Sequence, residues 1–252
     1  MHLSIRNVSV VFPASGGGAP LPALGPVSFE IESHQFVSLI GPSGCGKSTL
    51  IRLIAGLQQP TQGEVYLEEQ KIQEPSRRVG LMFQDANLMP WRTVIDNIAL
   101  PLELAGVPRE EREKSAAVLL AMLGLSEFGG AYPGSLSGGM AQRVALGRIL
   151  ASQPDVMLLD EPFGALDAFT REQLSFDLLN VWRQAKHTLL MVTHDIHEAV
   201  LLSDRVLVMS QRPGRIIADI AVPLPRPRQM SDIYTPDFIE TARLVRQKLS
   251  EA

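Results

Sequence analysis

The most informative segment of the chain combines glycines with a lysine and a serine at a fixed spacing, Gly41-Pro42-Ser43-Gly44-Cys45-Gly46-Lys47-Ser48-Thr49. The apolar run 36–40 precedes it and helically spaced apolar residues follow it, which predicts a strand, a loop and a helix. Glycines let backbone N–H groups turn inward around an anion, and the helix N-terminus presents its positive dipole end to the same anion. The segment therefore predicts a triphosphate-binding loop, in which Lys47 reaches the β- and γ-phosphates and the Ser48 hydroxyl binds Mg²⁺. An ordinary glycine-rich turn would leave Lys47 and Ser48 unexplained.

Composition is typical of a globular α/β protein and argues against nucleic acid as a partner. Of the 252 residues, 45% are hydrophobic, 20 are glycine and 18 are proline, and the formal net charge is -4. The first residues show no signal-peptide pattern, and no apolar run approaches the roughly 18 residues that cross a bilayer. Any membrane role is therefore expected to come through a partner.

The chain has one cysteine, Cys45, which excludes a disulfide within the chain and fits a reducing compartment. Because no base neighbours Cys45 in the sequence, we interpret it as a small filler residue of the loop. The alternative is a thiol whose modification blocks nucleotide entry.

Strand-like and helical patterns alternate along the chain, with a helical block between two strand-rich parts. We predict strands over residues 3–12, 27–31, 36–40, 63–67, 79–83, 156–159, 188–192 and 206–209, with a loop over 13–26. The helical block runs from residue 94 to about 150 and includes helices over 109–123 and 137–151. A helix over 170–186 and a terminal helix after an extended linker, 223–228, complete the pattern. The alternation predicts a mainly parallel sheet covered by helices.

Two of these helices have a predicted apolar face. In residues 109–123 the face consists of Val118, Leu119 and Met122. In residues 170–186 it consists of Leu174, Leu178, Val181 and Trp182, and Trp182 is interpreted as a core residue rather than a ligand platform.

An apolar strand that ends in two acids, Asp155-Val156-Met157-Leu158-Leu159-Asp160-Glu161, matches the second element of a phosphate-loop ATPase. Asp160 at the strand end can hold Mg²⁺ through its water shell. Glu161 can polarise the attacking water. The alternative is a strand followed by an exposed acidic turn. The phosphate loop upstream argues against this alternative.

A second anion site is predicted at Leu136-Ser137-Gly138-Gly139-Met140, where Ser137 is a natural N-cap and two glycines leave N–H groups accessible at a helix start. A simple capped helix is the alternative. With this segment the chain resembles the ATP-binding cassette ATPases, whose signature is LSGGQ or a close variant. Met140 takes the place of the usual glutamine.

The resemblance implies the architecture. It implies an α/β fold with a P-loop NTPase (RecA-like) core, a mainly parallel sheet, an N-terminal antiparallel β subdomain and an inserted α-helical signature subdomain. We expect an ATPase domain over residues 1–220, with its core at 1–84 and 155–216 and its helical subdomain at about 85–154. Residues 221–252 are expected to form a C-terminal linker and helix.

The resemblance also implies site residues. Gln84 looks like the Q-loop glutamine, which senses Mg²⁺ and water, and His194 looks like the switch histidine that contacts the γ-phosphate. Ala165-Leu166-Asp167 matches the D-loop, and Phe12 lies where the family stacks adenine, although a core phenylalanine is the alternative. The other histidines match no motif and are expected at the surface, namely His2, His34, His187 and His197.

From the motifs and the resemblance together we predict three sets of site residues. The catalytic set is Lys47, Gln84, Glu161 and His194. The nucleotide-binding set is Phe12, Gly41, Pro42, Ser43, Gly44, Cys45, Gly46, Lys47, Ser48, Thr49, Gln84, Ser137, Gly138, Gly139 and Asp167. The metal-binding set is Ser48, Gln84 and Asp160, and the cofactors are ATP and Mg²⁺.

Three further segments, residues 87–92, 163–171 and 212–216, are similar to the nitrate/sulfonate/taurine importer subfamily. This resemblance implies an ATP-hydrolysing subunit of a bacterial importer, peripheral at the cytoplasmic face of the inner membrane. It implies a head-to-tail homodimer with ATP between Lys47 of one copy and Ser137-Gly138-Gly139 of the other. A permease is expected to dock near Gln84, Trp91 and Arg92, with a solute-binding protein as an indirect partner. A tryptophan packed inside the helical lobe is the alternative for Trp91.

A rival function is a soluble cassette ATPase that acts on nucleic acid, ribosomes or iron–sulfur assembly. The single cassette, the absence of a coiled-coil pattern between Gln84 and Ser137, and the absence of a basic patch argue against it. The solute stays open among nitrate, sulfonates, taurine, bicarbonate and thiamine-precursor pyrimidines. Whether the second ATPase of the dimer is identical or a paralogue also stays open.

Overall fold

The computed structural model describes residues 3–13, 19–164, 166–185 and 187–252. Its strands are β1 (Leu3–Phe12), β2 (Leu21–Ile31), β3 (Phe36–Ile40), β4 (Gln62–Leu67), β5 (Gln70–Lys71), β6 (Val79–Met82), β7 (Val156–Asp160), β8 (Thr188–Val192), β9 (Arg205–Met209) and β10 (Ile216–Ala221). Its α-helices are α1 (Lys47–Ile54), α2 (Val94–Leu104), α3 (Arg109–Met122), α4 (Gly138–Ala151), α5 (Ala168–Ala185), α6 (Ile196–Leu202) and α7 (Pro236–Ser250). Short 3₁₀ turns lie at Ser126–Phe128, Pro133–Ser135 and Met230–Tyr234. In this part of the chain no helix has both the length and the apolar character needed to cross a membrane.

The elements form two compact units, which we call the first unit (the described residues up to 76, with 187–252) and the second unit (the described residues of 77–186). The first unit contains an antiparallel sheet in the order β2-β1-β4-β5. It also contains strands in the order β10-β9-β3-β8, in which β3 is parallel to both β8 and β9. Every residue of β3 and β8 is buried, which is typical of parallel strands covered on both faces.

The second unit contains the parallel pair β6 and β7, in the register Val79↔Val156 to Met82↔Leu159. Helix α4 packs against α2, α3 and α5, so it is the central helix of this unit. A mainly parallel set of strands, a separate antiparallel sheet and a helical block within the chain confirm the predicted fold class.

The predicted loop over residues 13–26 is wrong in its second half, because β2 already begins at Leu21. Pro22 and Pro26 suggested a loop, but both are exposed on β2, which is an edge strand. An edge strand tolerates proline because its outward side needs no N–H donor. Residues 14–18 of the predicted loop lie outside the described residues.

The predicted apolar face of α3 is also wrong. Val118 is 64% exposed and Met122 is 43% exposed, whereas Ala116 and Leu120 are buried. The helix contains apolar residues around most of its C-terminal half, so its packing partners decide which of them are covered. In α5 the predicted face is confirmed, since Leu174, Leu178, Val181 and Trp182 are all buried.

Candidate nucleotide-binding site

In the first unit, the phosphate loop joins buried β3 to α1, as its sequence predicts. Gly44 and Gly46 have φ values of 74° and 112°, a region that glycine enters without steric cost. Gly46 stands at the N-cap of α1. Any residue with a side chain would clash there, because its Cβ would lie 2.6 Å from Leu24 Cδ2. Ser48 is exposed in the first turn of α1. The loop therefore presents backbone N–H groups and a hydroxyl around a helix N-terminus, which suits a phosphate group.

The side chain of Lys47 lies along this loop rather than in solvent. Its Nζ donates hydrogen bonds to the carbonyls of Gly41 at 2.8 Å and Pro42 at 3.0 Å, and the residue is 7% exposed. The ammonium charge is thereby held at the loop, within reach of any anion that the loop binds. Cys45 is buried, in agreement with its interpretation as a filler residue.

A turn between β9 and β10 packs directly on the loop, and its residues 212–216 contributed to the subfamily resemblance but were not predicted to support the loop. Arg212 Nε donates to the carbonyl of Gly44 at 3.1 Å. Gly214 exchanges backbone hydrogen bonds with residues of β2, donating to Ala23 at 3.1 Å and accepting from Gly25 at 2.9 Å. A Cβ on Gly214 would lie 2.1 Å from the carbonyl oxygen of Cys45. The turn thus contacts the loop through the Arg212 side chain and the Gly214 backbone, and backbone hydrogen bonds hold the turn on β2.

His194 lies close to this loop by topology, because it follows β8, the parallel neighbour of β3. Val192 is paired with Leu39, and Thr193 N donates to the Leu39 carbonyl at 3.2 Å. Asp195 caps α6 by accepting from the N–H groups of the second and third residues after it. The imidazole of His194 is exposed in this hydrogen-bonded turn. The structure therefore brings Lys47 and His194 to the same edge of parallel strands.

Phe12 is 38% exposed at the end of β1, so the alternative of a core phenylalanine is wrong. Among the histidines without a motif, His34 and His197 are exposed and His187 is partly buried. His2 lies outside the described residues.

In the second unit, the two acids at the end of β7 are partly buried, and Glu161 has a φ of 48°. Positive φ is uncommon for a residue with a side chain and is often found at functional sites. The Nε2 atom of Gln84 and the Oε2 atom of Glu161 each lie 3.5 Å from the point where a Cβ of Gly164 would stand. Gly164 thus leaves open the space that the Gln84 and Glu161 side chains border.

Helix α4 holds the segment that follows β6, through two side chains that the sequence analysis did not select. Gln142 Nε2 donates to the carbonyl of Gln84 at 2.7 Å. Arg148 donates to the carbonyls of Ala86 at 2.7 Å and Asn87 at 2.8 Å. Burial lowers the pKa of the Arg148 guanidinium. Helix α4 therefore fixes the backbone around Gln84. In the sequence, only the polar side chains of Gln142 and Arg148, six residues apart on this helix, could have indicated that role.

The start of α4 has the geometry expected of the signature. Ser137 is exposed at the N-cap and its Oγ accepts from Met140 N at 3.3 Å. Gly138 is exposed, whereas Gly139 is buried against α5, where a Cβ would lie 2.4 Å from Thr170 Cγ2. The helix N-terminus therefore offers its N–H groups at an exposed surface.

Asp167 lies at the start of α5, where its Oδ1 accepts from Thr170 N at 3.0 Å. The Thr170 hydroxyl and backbone N–H hold the pKa of the Asp167 carboxyl below its ordinary value. Ala165 of the predicted D-loop lies outside the described residues.

Trp91 and Arg92, near which a permease is expected to dock, differ in exposure. Trp91 is 71% exposed, so the alternative of a packed tryptophan is wrong. Arg92 instead makes two hydrogen bonds of 2.9 Å to Glu103, whose carboxylate also lies 3.3 Å from Arg112. The bidentate pair lowers the pKa of Glu103. Arg92 is thus ion-paired within this unit, and Trp91 beside it is exposed.

The contact between Gly214 and the loop gives a testable prediction. Gly214→Ala forces the turn or the loop to shift, because no Cβ fits 2.1 Å from the Cys45 oxygen. We expect nucleotide affinity to fall about tenfold or more, since ångström-scale misplacement of binding groups is costly. Gly130→Ala is the matched control, since its Cβ would meet nothing within 4 Å. Nucleotide titration beside thermal unfolding measures both effects, and unchanged affinity in a folded Gly214→Ala protein would contradict the prediction.

Comparison with known proteins agrees with this geometry. The family model described as ABC transporter matches residues 24–164, more than half of the chain. The taurine import ATP-binding protein of Rhizobium johnstonii is 47% identical over 216 residues, which cover 86% of this chain and 82% of that protein. The aliphatic sulfonates import ATP-binding protein of Bacillus cereus is 46% identical over 228 residues, which cover 90% of this chain and 89% of that protein.

Solved structures include a dimeric ATP-binding cassette in a post-hydrolysis state, bound to ADP and Pi. Its TM-score is 0.78 at 33% sequence identity, over 88% of this chain and 100% of that one. Together with the phosphate loop, the acidic strand end and the signature helix, these matches show that the chain belongs to the ABC transporter family, as one of its ATP-binding cassettes.

Proposed function

We propose that this chain is the ATP-hydrolysing subunit of a bacterial ABC importer for a small solute of the nitrate, sulfonate or taurine type. The observation that carries the proposal is the presence of two glycine-rich helix N-termini in one chain, at the phosphate loop and at the signature, each suited to binding an anion. The taurine and sulfonate import relatives, which match most of the chain, support import rather than another task of the family.

ATP binds at the phosphate loop, and its phosphate oxygens replace two loop carbonyls as hydrogen-bond acceptors for Lys47. Lys47 now donates to two carbonyls of the loop, and it turns these donors to the β- and γ-phosphates when ATP is bound. The N–H groups around Gly44 and Gly46 hold the phosphate oxygens. Phe12, exposed at its strand end, stacks on adenine. The other loop residues of the predicted set shape this cradle.

The donor chemistry of Ser48, Gln84 and Asp160 suits Mg²⁺, which prefers hydroxyl, amide and carboxylate oxygens and retains several waters. When bound, the ion offsets the charge of the β- and γ-phosphates. Glu161 accepts the proton of the attacking water, with its backbone held at positive φ after β7. Gln84 orients that water, and His194 donates to the γ-phosphate.

Two copies of the chain act together, arranged head to tail. Ser137, Gly138 and Gly139 of one copy complete the phosphate site of the other, since Ser137 and Gly138 are exposed at the start of α4 in a single chain. Asp167 lies at the same contact. ATP stabilises this closed dimer through its γ-phosphate, and hydrolysis removes that contact and releases the dimer. The solved cassette, which is described as dimeric, supports dimerisation.

The permease docks on the second unit near Gln84 and Trp91, at the cytoplasmic face of the inner membrane. Trp91 is the anchor, because a large exposed aromatic side chain suits the buried centre of an interface. Asn97 fixes its position. The buried amide of Asn97 accepts from Met89 N and donates to the carbonyls of Met89, Arg92 and Thr93. Arg92, beside the anchor and paired with Glu103, belongs to the same docking surface. A solute-binding protein delivers the solute to that permease.

The solute is selected outside this chain. The two import relatives are named for different solutes, and their sequence identities to this chain differ by one percentage point. The division into an ATPase core, a helical subdomain at about 85–154 and a C-terminal part from 221 belongs to the same proposal.

Lys47→Ala is expected to weaken ATP binding about a hundredfold or more and to abolish turnover, because charge-assisted hydrogen bonds to the phosphates are lost. Lys114→Ala, at an exposed lysine of α3, is the control and is expected to behave as wild type. Isothermal titration and phosphate release measure the two quantities. Normal activity in Lys47→Ala would refute the role of the loop.

Glu161→Gln is expected to bind ATP normally, to lose turnover by about a hundredfold or more, and to accumulate as a dimer. The amide preserves the size of the side chain but cannot accept the proton. Glu172→Gln changes an exposed glutamate of α5 in the same way and is expected to stay like wild type. Light scattering with ATP and Mg²⁺ reports the dimer, and a monomeric Glu161→Gln protein with normal turnover would exclude the assignment.

Trp91→Ala is expected to weaken capture of the permease by at least tenfold while basal ATPase activity of the isolated chain stays unchanged. Tyr234→Ala removes another exposed aromatic side chain, in the first unit, and is expected to leave capture intact. The assay is co-purification of the tagged chain with membrane proteins of its host in mild detergent. Recovery of a polytopic membrane protein in equal amounts with Trp91→Ala and wild type would exclude Trp91 as the anchor, and recovery of ribosomes or DNA would favour the rival function.

A further inference from the structure

The C-terminal segment, which we define as residues 222–252, is packed on α6, the helix that begins two residues after His194. Helix α7 contacts α6, and the ring of buried Phe238 stacks on His197 with a centroid distance of 5.8 Å and an interplanar angle of 18°. Val222 and Leu224 are also buried. The part of the segment predicted as an extended linker is therefore docked on the protein.

Two arginines of this segment, Arg226 and Arg228, bind the last carbonyls of α6, and we call them the arginine clamp. Arg228 Nη1 donates to the carbonyls of Val200 at 2.8 Å and Leu201 at 2.9 Å. Arg226 Nη2 donates to the carbonyl of Leu202 at 2.8 Å. These carbonyls have no acceptor role within the helix and form its negative dipole end, where cations are favourable. The clamp thus caps three successive carbonyls.

Asp204 connects the clamp to the strand that enters the phosphate loop. Its Oδ1 accepts from Arg226 Nε at 2.8 Å and lies 3.8 Å from Arg228 Nη2. Its Oδ2 accepts from Phe36 N at 2.9 Å, and its own N–H donates to the Phe36 carbonyl at 2.7 Å. Phe36 is the first residue of β3, so the end of α6 is fixed to the strand that leads to Lys47.

Arg228 is suited to fixing one position of the helix, because it is charged and only 7% exposed. Burial, together with repulsion from Arg226, lowers the pKa of Arg228 to about 10, so the guanidinium remains charged at neutral pH. A buried charge that loses its acceptors is strongly unfavourable. Small displacements of α6 from the clamp are therefore opposed.

Helix α6 has seven residues, about two turns, and a helix this short is not stable by itself. Asp195 caps its first turn and the clamp caps its last turn. His194 precedes Asp195 directly, so the clamp and the histidine lie at opposite ends of one two-turn helix that is capped at both ends.

We propose that Arg228, assisted by Arg226, is a positioning residue for His194 in ATP hydrolysis. The clamp sets α6 against β3, and α6 in turn sets the turn that carries His194. The inference rests on the proposed contact between His194 and the γ-phosphate. It gives the C-terminal segment a place in the catalytic step that the motifs of the chain do not suggest.

The first test compares turnover and ATP affinity in the full chain. Arg228→Met is expected to lower kcat about tenfold with KM for ATP within about twofold, because the phosphate loop is retained while His194 is misplaced. Arg228→Lys is expected to recover part of kcat, since an ammonium can still donate to one carbonyl. The control is Arg243→Met, on α7, where the arginine is exposed and paired with Glu240. Thermal unfolding identifies a protein that fails to fold, and Arg226→Met then takes its place, since Arg226 is the less buried of the two.

The second test is a double-mutant cycle with His194→Ala. If the clamp acts through His194, adding Arg228→Met to His194→Ala leaves kcat within about twofold of His194→Ala alone. A further fall by the same factor as in the wild-type background would overturn the inference and leave the proposed function intact. So would a raised KM with unchanged kcat in Arg228→Met. A His194→Ala protein with wild-type turnover would refute the proposed role of the histidine, and with it the inference.

Discussion

Segments from two other parts of the first unit approach the phosphate loop so closely that glycine is required at the contacts. A Cβ on Gly46 would lie 2.6 Å from Leu24, one on Gly41 would lie 2.9 Å from Met209, and one on Gly214 would lie 2.1 Å from the Cys45 carbonyl. The loop is therefore shaped by its neighbours as well as by its own sequence. Its rigidity matters because binding groups that are held in place before the ligand arrives lose little entropy on binding.

In the second unit, a single helix, α4, supports the segment that carries Gln84. Helix α4 begins at the signature, and its middle side chains hold the backbone of residues 84–87. A movement of α4 therefore moves the segment that carries Gln84 and leads to Trp91. In the proposed function this is the physical link between the nucleotide and the permease, since both partners contact parts of the chain that α4 holds.

Four arginines of the two units hold backbone segments in place. Arg148, Arg212, Arg226 and Arg228 all donate to main-chain carbonyls, and Arg92 is bound to Glu103. A guanidinium suits this task because its several donors lie in one plane at fixed angles. Charge near the site is thus a poor guide to which residues bind phosphate, and Lys47 is distinguished by its place in the loop.

The sequence alone determined the family, the fold class and the residues of the motifs, because these are local. A glycine spacing, a capped helix start and acids at a strand end each work through neighbouring backbone, so they can be recognised from a short segment. Element positions were also predicted well where the apolar pattern was regular, as in β1, β3 and α5. The prediction was wrong for the start of β2, whose prolines are tolerated only because the strand is at an edge. It was also wrong for the buried face of α3, which depends on the packing partners of that helix.

Only the tertiary structure decided which residues support the motifs. Gly214 lies far along the chain from Cys45, as Gln142 does from Gln84, so no spacing rule relates them. The exposure of Trp91 and the engagement of Arg92 likewise depend on where α2 places Glu103 and Asn97. These contacts are formed by folding between distant segments, and physical complementarity at each contact, rather than a sequence pattern, selects the residues.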